Sequence, residues 1–108
     1  MNHRPGDVIV VQLPFHQGGG SKIRPAVVVL DAGDADLVIA PITSQPRNTD
    51  YDVRLEHWKA AGLNRASAVR LHKVAVIAKA NVRQTIGVLS EPDLLSFLDG
   101  LCRTYCPR

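Results

Sequence analysis

The stretch Ile23-Arg24-Pro25-Ala26-Val27-Val28-Val29-Leu30 decides how the fold of this 108-residue chain is interpreted. From Pro25 to Leu30 every position is apolar, so both faces of an extended segment would be buried, which is typical of a central strand. Proline lacks the N–H that a ladder requires, and we therefore expect Pro25 to be the first residue of this strand. Arg24 would then stand at the entrance to the strand, where a solvated arginine is the ordinary expectation.

Six further segments are rich in β-branched or alternating apolar residues and are separated by glycine, proline and polar residues, which predicts short strands. They are Asp7–Leu13, Leu37–Ala40, Tyr51–Leu55, Ser67–Leu71, Val74–Ala78 and Gln84–Leu89. Between the first strand and the central one, Phe15–Lys22 contains the glycine run Gly18–Gly20. The backbone entropy of these glycines opposes a strand, and we expect a mobile loop.

Two segments carry helix signals. Glu56–Ala61, followed by Gly62, fits one or two helical turns with a glycine stop. Ser90 fits an N-cap, with Pro92 in the first turn and Asp93 three residues after the cap. In this second helix the apolar residues recur at helical spacing, at Leu94, Leu95, Leu98, Leu101 and Cys102. We therefore predict a single mainly β domain over residues 1–108: a partly open barrel of short antiparallel strands, one short helix and a C-terminal amphipathic helix.

The basic residues are unevenly distributed in a chain of formal net charge +3. From His57 to Ser90 there are no acidic residues, whereas six residues are basic: Lys59, Arg65, Arg70, Lys73, Lys79 and Arg83. If they fold onto one face, that face attracts phosphate or an acidic partner segment. A solvated basic surface explains the same charges equally well.

Composition also restricts the location of the protein. No apolar run approaches the roughly 18 residues of a membrane span, and the first residues lack the apolar stretch of a secretory signal. We therefore expect a cytoplasmic protein that does not contact a membrane. Cys102 and Cys106, one helical turn apart, form neither a disulfide framework nor a zinc pattern, and we expect reduced thiols.

Four segments, in this order along the chain, resemble the PemK/MazF-like toxins of bacterial toxin–antitoxin systems. They are Gly6–Ile9, Arg24–Val29, Ala40–Gln45 and Ala68–Leu71. The resemblance runs from about Gly6 to the C-terminal helix and includes Ile86–Ser90 at the entry to that helix. The specificity of the resemblance lies in the ordered set of segments.

The resemblance implies an SH3-like barrel that forms a homodimer and cuts single-stranded RNA with no cofactor and no metal ion. It also implies a cognate antitoxin whose acidic C-terminal segment holds the enzyme inactive. Cleavage without a metal uses the 2′-OH of the RNA as nucleophile and leaves a 2′,3′-cyclic phosphate and a 5′-OH. Such a reaction needs a base, positive charge at the phosphorane and an acid for the leaving oxygen.

Two motifs supply the principal candidates for the site. Arg24 is always charged, and its planar fork matches two phosphate oxygens, which suits stabilisation of the reacting phosphate. By resemblance Thr43 is the second catalytic residue, although Ser and Thr hydroxyls also close local turns. Ser44 and Gln45 of the same motif are candidate RNA-binding residues, and Lys22 adds charge beside them.

Three further residues are candidates with open alternatives. Arg70 and His72 are two residues apart and would share one face of a strand. Some family members carry Arg-x-Asp here as an acid–base pair, so His72 is either a base suited to neutral pH or a polar surface residue. His16 matches a loop histidine of some relatives and could bind RNA and protonate the leaving group, or it could be a bystander.

Other functions are weighed against the ribonuclease. A catalytically silent RNA- or partner-binding barrel is suggested by His72 in the place of the expected acid. A gyrase poison of related fold is disfavoured, because the C-terminal residues Tyr105-Cys106-Pro107-Arg108 lack the Trp-Gly-Ile of those proteins. A peptide-binding SH3 module is disfavoured because the aromatic residues are few and scattered.

Overall fold

The computed structural model describes residues 2–14 and 20–106, which form a seven-stranded antiparallel sheet and one α-helix. The strands are β1 (Asp7–Pro14), β2 (Ser21–Leu30), β3 (Asp36–Thr43), β4 (Asp52–Arg54), β5 (Ala68–Arg70), β6 (Ala75–Ala78) and β7 (Val82–Val88), and the helix is α1 (Glu91–Tyr105). Two 3₁₀ turns, Leu71–Lys73 and Lys79–Asn81, flank β6. The predicted mainly β fold with a partly open sheet and a closing C-terminal helix is confirmed.

Strand β2 lies in the centre of the sheet, as its apolar sequence predicts. The strand order is β4-β5-β3-β2-β1-β7, and β6 pairs with β3. The expectation that Pro25 begins the strand is wrong, because β2 begins at Ser21 and Pro25 lies opposite Val10 of β1. The pairing of β2 with β3 ends at Ala26 and Pro41, so Pro25 has no partner in β3. Proline is tolerated at this position because no backbone N–H is needed on that side of the strand.

The loop between β1 and β2 is shorter than the predicted Phe15–Lys22. Ser21 and Lys22 belong to β2, and they pair with Pro14 and Leu13 of β1. The cross-strand pairing with β1 therefore extends strand structure into residues whose local sequence indicated a loop. Residues 15–19, which include His16, lie outside the described residues.

The two faces of the sheet carry two separate hydrophobic clusters, which explains why β2 is apolar at consecutive positions. One cluster contains Val8, Val27, Ala40, Ile42, Val53, Leu55, Ala61, Val69, Leu71, Leu89 and Phe97. The other contains Ile9, Val11, Ala26, Val28, Leu37, Ile39 and Ile77. Because side chains alternate along a strand, Val27 and Val28 enter different clusters, and each large buried side chain stabilises the fold by about 1.5–3 kcal/mol.

Helix α1 begins where the sequence predicts. The Ser90 hydroxyl accepts the N–H of Asp93 at 3.3 Å, which is the N-cap bond expected from the Ser90–Asp93 spacing. No helix in residues 2–14 or 20–106 is long and apolar enough to cross a membrane.

The buried face of α1 differs from the predicted one. Leu94 and Leu101 pack against the first cluster as expected, but Leu95 and Leu98 are 59% and 42% exposed, and the buried aromatic is Phe97. Residues 94, 97 and 101 have the same helical spacing as residues 95, 98 and 102, so periodicity alone does not separate the two faces. The face with the large Phe97 ring buries more area and faces the sheet.

The predicted one or two helical turns at Glu56–Ala61 are present as a single turn within a series of turns, in which the N–H of Ala61 donates to the carbonyl of His57 at 3.2 Å. The predicted glycine stop is confirmed, because Gly62 has a φ of +89° and the N–H of Leu63 donates to the carbonyl of Trp58 at 3.1 Å. Tertiary contacts hold this turn against the rest of the fold. The Trp58 ring packs on the first hydrophobic cluster, and the Asp93 carboxylate takes the first two N–H groups of the segment.

Candidate functional site

A cleft of about 580 Å³ lies where β2 extends past the end of its ladder with β3. Four parts of the fold line it: residues 22–25 of β2, residues 42–45 at the end of β3, the 62–67 segment, and two apolar side chains, Val10 and Ile86. The cleft therefore joins the Arg24 motif and the Thr43 motif, which are separate in the sequence.

Strand β2 places Lys22 and Arg24 on the cleft. Both side chains are exposed, and their backbones are held opposite Leu13 and Val11 of β1. Within residues 2–14 and 20–106 neither cation forms an ion pair. Their positive charge is therefore available to an anionic ligand in the cleft.

The end of β3 places Thr43, Ser44 and Gln45 on the same cleft. The Thr43 hydroxyl accepts the N–H of Gln45 at 3.1 Å, so the turn-closing contact considered for this hydroxyl does occur. A hydroxyl that accepts one bond still has a hydrogen to donate. Thr43 is thus held in one orientation by its turn and keeps a donor for a ligand.

The 62–67 segment adds a third cation, Arg65, to the cleft. Ser67 is buried, and its hydroxyl donates to the Arg65 carbonyl at 2.8 Å, which fixes the backbone that carries this arginine. Asn64 lines the cleft beside it. The only sequence signal for Arg65 is its membership of the acid-free basic stretch, and no motif singles it out.

A carboxylate from α1 holds the 56–63 segment in place. Asp93 is 1% exposed, and its two carboxylate oxygens accept the N–H groups of Glu56 and His57 at 2.9 Å each. The spacing from Ser90 predicts that Asp93 would return to the N-cap, whereas it reaches another part of the chain. Asp93 therefore helps to position the residues that follow it into the cleft, Gly62 to Arg65.

Two of the predicted catalytic residues lie away from the cleft. Arg70 ends β5 with its Nε 3.7 Å from the carboxylate of Asp52, and His72 lies in the 3₁₀ turn with its ring 5.4 Å from that of Tyr51. The expectation that Arg70 and His72 share a strand face is wrong, because β5 ends before His72. Neither residue lines the cleft, and His16 lies outside the described residues.

The basic stretch from His57 to Ser90 does not form one face. Arg65 lines the cleft, Lys79 and Arg83 line a second cavity, and Arg70 lies beside Asp52. The charges that the sequence groups together are thus divided among different surfaces. Within residues 2–14 and 20–106 no group of three or more His, Cys, Asp or Glu residues is arranged to hold a metal ion.

Comparison with known proteins identifies the family. Residues 4–104 match the family model described as PemK-like, MazF-like toxin of type II toxin–antitoxin system. The chain belongs to this toxin family. The resemblance that the four sequence segments indicate is therefore confirmed, whereas no match was found among the curated proteins.

Solved structures of PemK/MazF-like toxins share the fold. The Mycobacterium tuberculosis toxin MazF-mt6 aligns with a TM-score of 0.72 and 19% identity, over 94% of this chain and 96% of that one. A mycobacterial endoribonuclease in complex with its cognate antitoxin aligns with a TM-score of 0.77 and 15% identity, over 99% of each chain. The MazE–MazF structure from Deinococcus radiodurans aligns with a TM-score of 0.74 and 18% identity, over 93% of this chain and 92% of that one. At these identities the alignments show the fold alone.

Proposed function

We propose that this toxin is a metal-independent, sequence-selective endoribonuclease that cuts single-stranded RNA. The observation that carries the proposal is the shared cleft, in which Arg24 and Lys22 of β2 line the same space as Thr43 of β3. Family membership and solved relatives named as endoribonucleases support it. The cleft collects positive charge and hydrogen-bond donors, which are the groups that a phosphodiester in a cleavage transition state requires.

Arg24 is the residue proposed to stabilise the phosphorane. Its guanidinium presents donors in a fork that matches two non-bridging oxygens, and β2 restricts its backbone in the middle of a paired strand. Lys22, two residues earlier in the same strand, adds a point charge for the same or a neighbouring phosphate. Arg65 from the 62–67 segment supplies a third positive charge to the cleft.

Thr43, Ser44 and Gln45 are proposed to orient the RNA. The Thr43 hydroxyl can donate to a phosphate oxygen while its turn bond to Gln45 stays in place. Ser44 and the Gln45 side chain are exposed at the cleft and present further donors and acceptors to the sugar or the bases. The order of these groups along one strand end suits an extended ligand.

The reaction requires two proton transfers. The 2′-oxygen attacks the adjacent phosphorus and gives up its proton to a base, the bond from phosphorus to the 5′-oxygen breaks, and an acid protonates that oxygen. The titratable groups of the described cleft lining are all cationic, namely Lys22, Arg24 and Arg65. His16, which lies outside the described residues, is a candidate for proton transfer through the family resemblance alone.

Arg70 and His72 are weaker candidates for these transfers. Arg70 lies against Asp52, and His72 packs on Tyr51, so neither reaches the cleft of its own protomer in this arrangement. We retain them as predictions of the family resemblance. If the His72→Gln variant cleaves RNA at the wild-type rate, His72 does not take part in the reaction.

The partners proposed are a cognate antitoxin and a second copy of the toxin. Relatives of the same fold are solved as complexes with antitoxins. An acidic C-terminal antitoxin segment would fit the cleft, where Lys22, Arg24 and Arg65 have no acidic partner among the described residues. The cytoplasm, where messenger RNA is translated, is the proposed location.

A catalytically silent RNA-binding barrel is the second candidate. It is favoured by one observation, the lack of an imidazole or carboxylate among the described residues that line the cleft. Cleavage separates the two proposals directly. Tight binding of RNA with no cleavage over long incubation would favour the silent barrel.

The experiment is incubation of the purified toxin with single-stranded RNA in excess EDTA, followed by analysis of the product ends. The ribonuclease proposal predicts cuts whose downstream fragments accept a 5′ label from polynucleotide kinase without prior phosphatase treatment. His16→Gln should reduce the rate by about 10²-fold or more if His16 transfers a proton. Fragments with 5′-phosphates, or cleavage that stops in EDTA, would contradict the proposed chemistry.

A further inference from the structure

A second cavity, of about 280 Å³, lies beside the start of β7 and outside the cleft. It is lined by His3, Lys79, Val82, Arg83, Gln84 and Thr85. Apart from Val82, each of these residues brings a cation, a ring nitrogen, an amide or a hydroxyl. The composition suits an anion that accepts several hydrogen bonds.

A buried acid fixes one of the cations of this cavity. The Lys79 ammonium lies 2.8 Å from Asp31, whose side chain is 2% exposed. The same carboxylate accepts the backbone N–H groups of His3 and Gly33, each at 2.8 Å. Its oxygens are thus occupied by these three donors, and Asp31 holds both Lys79 and the backbone of His3 at the edge of the cavity.

Two other groups of the cavity lack partners. The His3 side chain is 10% exposed, and its Nδ1 is buried without a hydrogen bond, 3.9 Å from Asp31 Oδ2. A buried ring nitrogen without a partner is unusual in a folded protein. Arg83 is exposed and forms no ion pair with any residue of ranges 2–14 and 20–106.

Strand β7 contributes residues to both the cleft and this cavity. Ile86 lines the cleft, whereas the adjacent residue Thr85 lines the second cavity. Gln84 of the second cavity lies opposite Val10, which lines the cleft. The two cavities therefore adjoin at the pair Val10–Gln84, and β7 ends the strand order, so among the described residues no strand pairs with its outer edge.

We propose that the second cavity binds a backbone phosphate of the same single-stranded RNA after the strand leaves the cleft and passes around β7. Arg83 and Lys79 supply the charge, and Gln84 and Thr85 supply neutral hydrogen bonds. This inference rests on the proposed function, because it extends the RNA path of the cleft. A free phosphate would use the same chemistry, and the experiment separates the two sources.

The test is the salt dependence of RNA binding by Arg83→Gln. Arg83 is preferred to Lys79, because loss of Lys79 would leave the buried carboxylate of Asp31 without its cation. Both variants below are made in an Arg24→Ala background, so that RNA is not cut during the measurement. Each phosphate contact to a single strand contributes about 0.7 to the slope of log affinity against log salt, so Arg83→Gln should lower the slope by about 0.7.

The matched control is Arg103→Gln, which removes an arginine of α1 that lines neither cavity and pairs with Asp99 on the surface. The slope of log RNA affinity against log salt for this control should equal that of the Arg24→Ala background. An unchanged slope for Arg83→Gln, or an equal loss in both variants, would overturn the proposal. Inorganic phosphate that binds the background protein but not Arg83→Gln, with RNA binding unaffected, would assign the cavity to a free anion and also overturn it.

A second measurement locates the effect. Addition of single-stranded RNA should shift the NMR resonances of the His3 ring nitrogens in the background protein and shift them less in Arg83→Gln. Failure of the ribonuclease proposal is visible separately, as absence of cleavage by the wild type. Loss of RNA binding in Arg24→Ala alone, with no response at His3, would confine the RNA to the cleft and contradict the inference.

Discussion

At the scale of single residues, Thr43 illustrates how one side chain serves the fold and the site together. Its hydroxyl closes the turn that follows β3 by accepting the N–H of Gln45, and the same residue lines the cleft. The sequence offers these as alternatives, but the hydroxyl has separate donor and acceptor capacity. Both descriptions of Thr43 are therefore compatible.

Thr43→Val tests the hydroxyl at nearly constant volume. We expect kcat/KM for RNA cleavage to fall about tenfold or more, because a hydrogen bond to a charged group is worth roughly 1.5–3 kcal/mol and the donor to the phosphate is lost. Thr43→Ser keeps the hydroxyl and should restore most of the activity. A valine variant that cleaves RNA as fast as the wild type would show that the Thr43 hydroxyl takes no part in cleavage.

Asp31 makes the stability of the fold depend on pH. Its pKa is held well below the usual range by the backbone N–H of His3, the Lys79 ammonium and the backbone N–H of Gly33. A carboxyl whose pKa is lower in the folded state stabilises the fold above its unfolded pKa, near 4, and loses this contribution as the pH falls from there towards the folded pKa.

We therefore expect the urea midpoint of the wild type to fall as the pH is lowered below about 4, and to fall less in Asp31→Asn. Asp34→Asn is the matched control, since Asp34 is exposed and accepts one backbone N–H, that of Asp36. The control should follow the wild-type pH profile. If the urea midpoints of Asp31→Asn and the wild type fall equally below about pH 4, Asp31 is not a source of the pH dependence of stability.

At the scale of elements, the 56–63 segment shows both what local sequence predicts and what it misses. The Glu56–Ala61 composition and Gly62 predict a short helical turn with a glycine stop, and that turn forms. The turn is anchored by the Asp93 carboxylate and by the packing of Trp58 on the first cluster, which the local sequence does not predict. These partners lie far away in the sequence, and no local pattern announces them. The N-cap of α1 was predictable because Ser90 and Asp93 are three residues apart. The hydrogen bonds from the N–H groups of Glu56 and His57 to the Asp93 carboxylate were not predictable.

Gly62 is a position at which this segment lies tightly against β7. Its φ is +89°, and a Cβ there would lie 2.3 Å from the carbonyl oxygen of Ile86 in β7. Gly33 has a comparable φ of +90° with no atom within 4 Å of the same position, so it carries the backbone strain without the collision.

Gly62→Ala should therefore destabilise the protein more than Gly33→Ala does. The second substitution costs about 1–2 kcal/mol of left-handed strain. The first adds about 1–3 kcal/mol of overpacking against backbone that cannot move aside. Because Gly62 lines the cleft, Gly62→Ala should also weaken RNA binding, measured beside urea unfolding of both variants. Equal unfolding free energies would contradict the close approach of the 56–63 segment to β7.

At the scale of the whole molecule, the cleft is a product of topology. The sequence identifies Lys22, Arg24 and the Thr43–Gln45 run through their motifs, and the order of strands brings these together at one end of β2 and β3. Arg65 was not predicted as a site residue, because its position depends on turns that Asp93 and β7 hold in place. Arg70 and His72 were predicted from their two-residue spacing to share one strand face, but β5 ends at Arg70 and His72 lies in the 3₁₀ turn that follows.

The central claim is that Arg24 acts chemically at the phosphate in the cleft. The most direct measurement compares RNA cleavage by Arg24→Ala with cleavage by Arg103→Ala in EDTA, with unfolding midpoints recorded for both. We expect Arg24→Ala to fold normally and to lose about 10²- to 10³-fold or more in kcat, as removal of a donor to developing charge typically does, while Arg103→Ala stays close to the wild type. A folded Arg24→Ala variant that cleaves RNA at the wild-type rate would contradict the account.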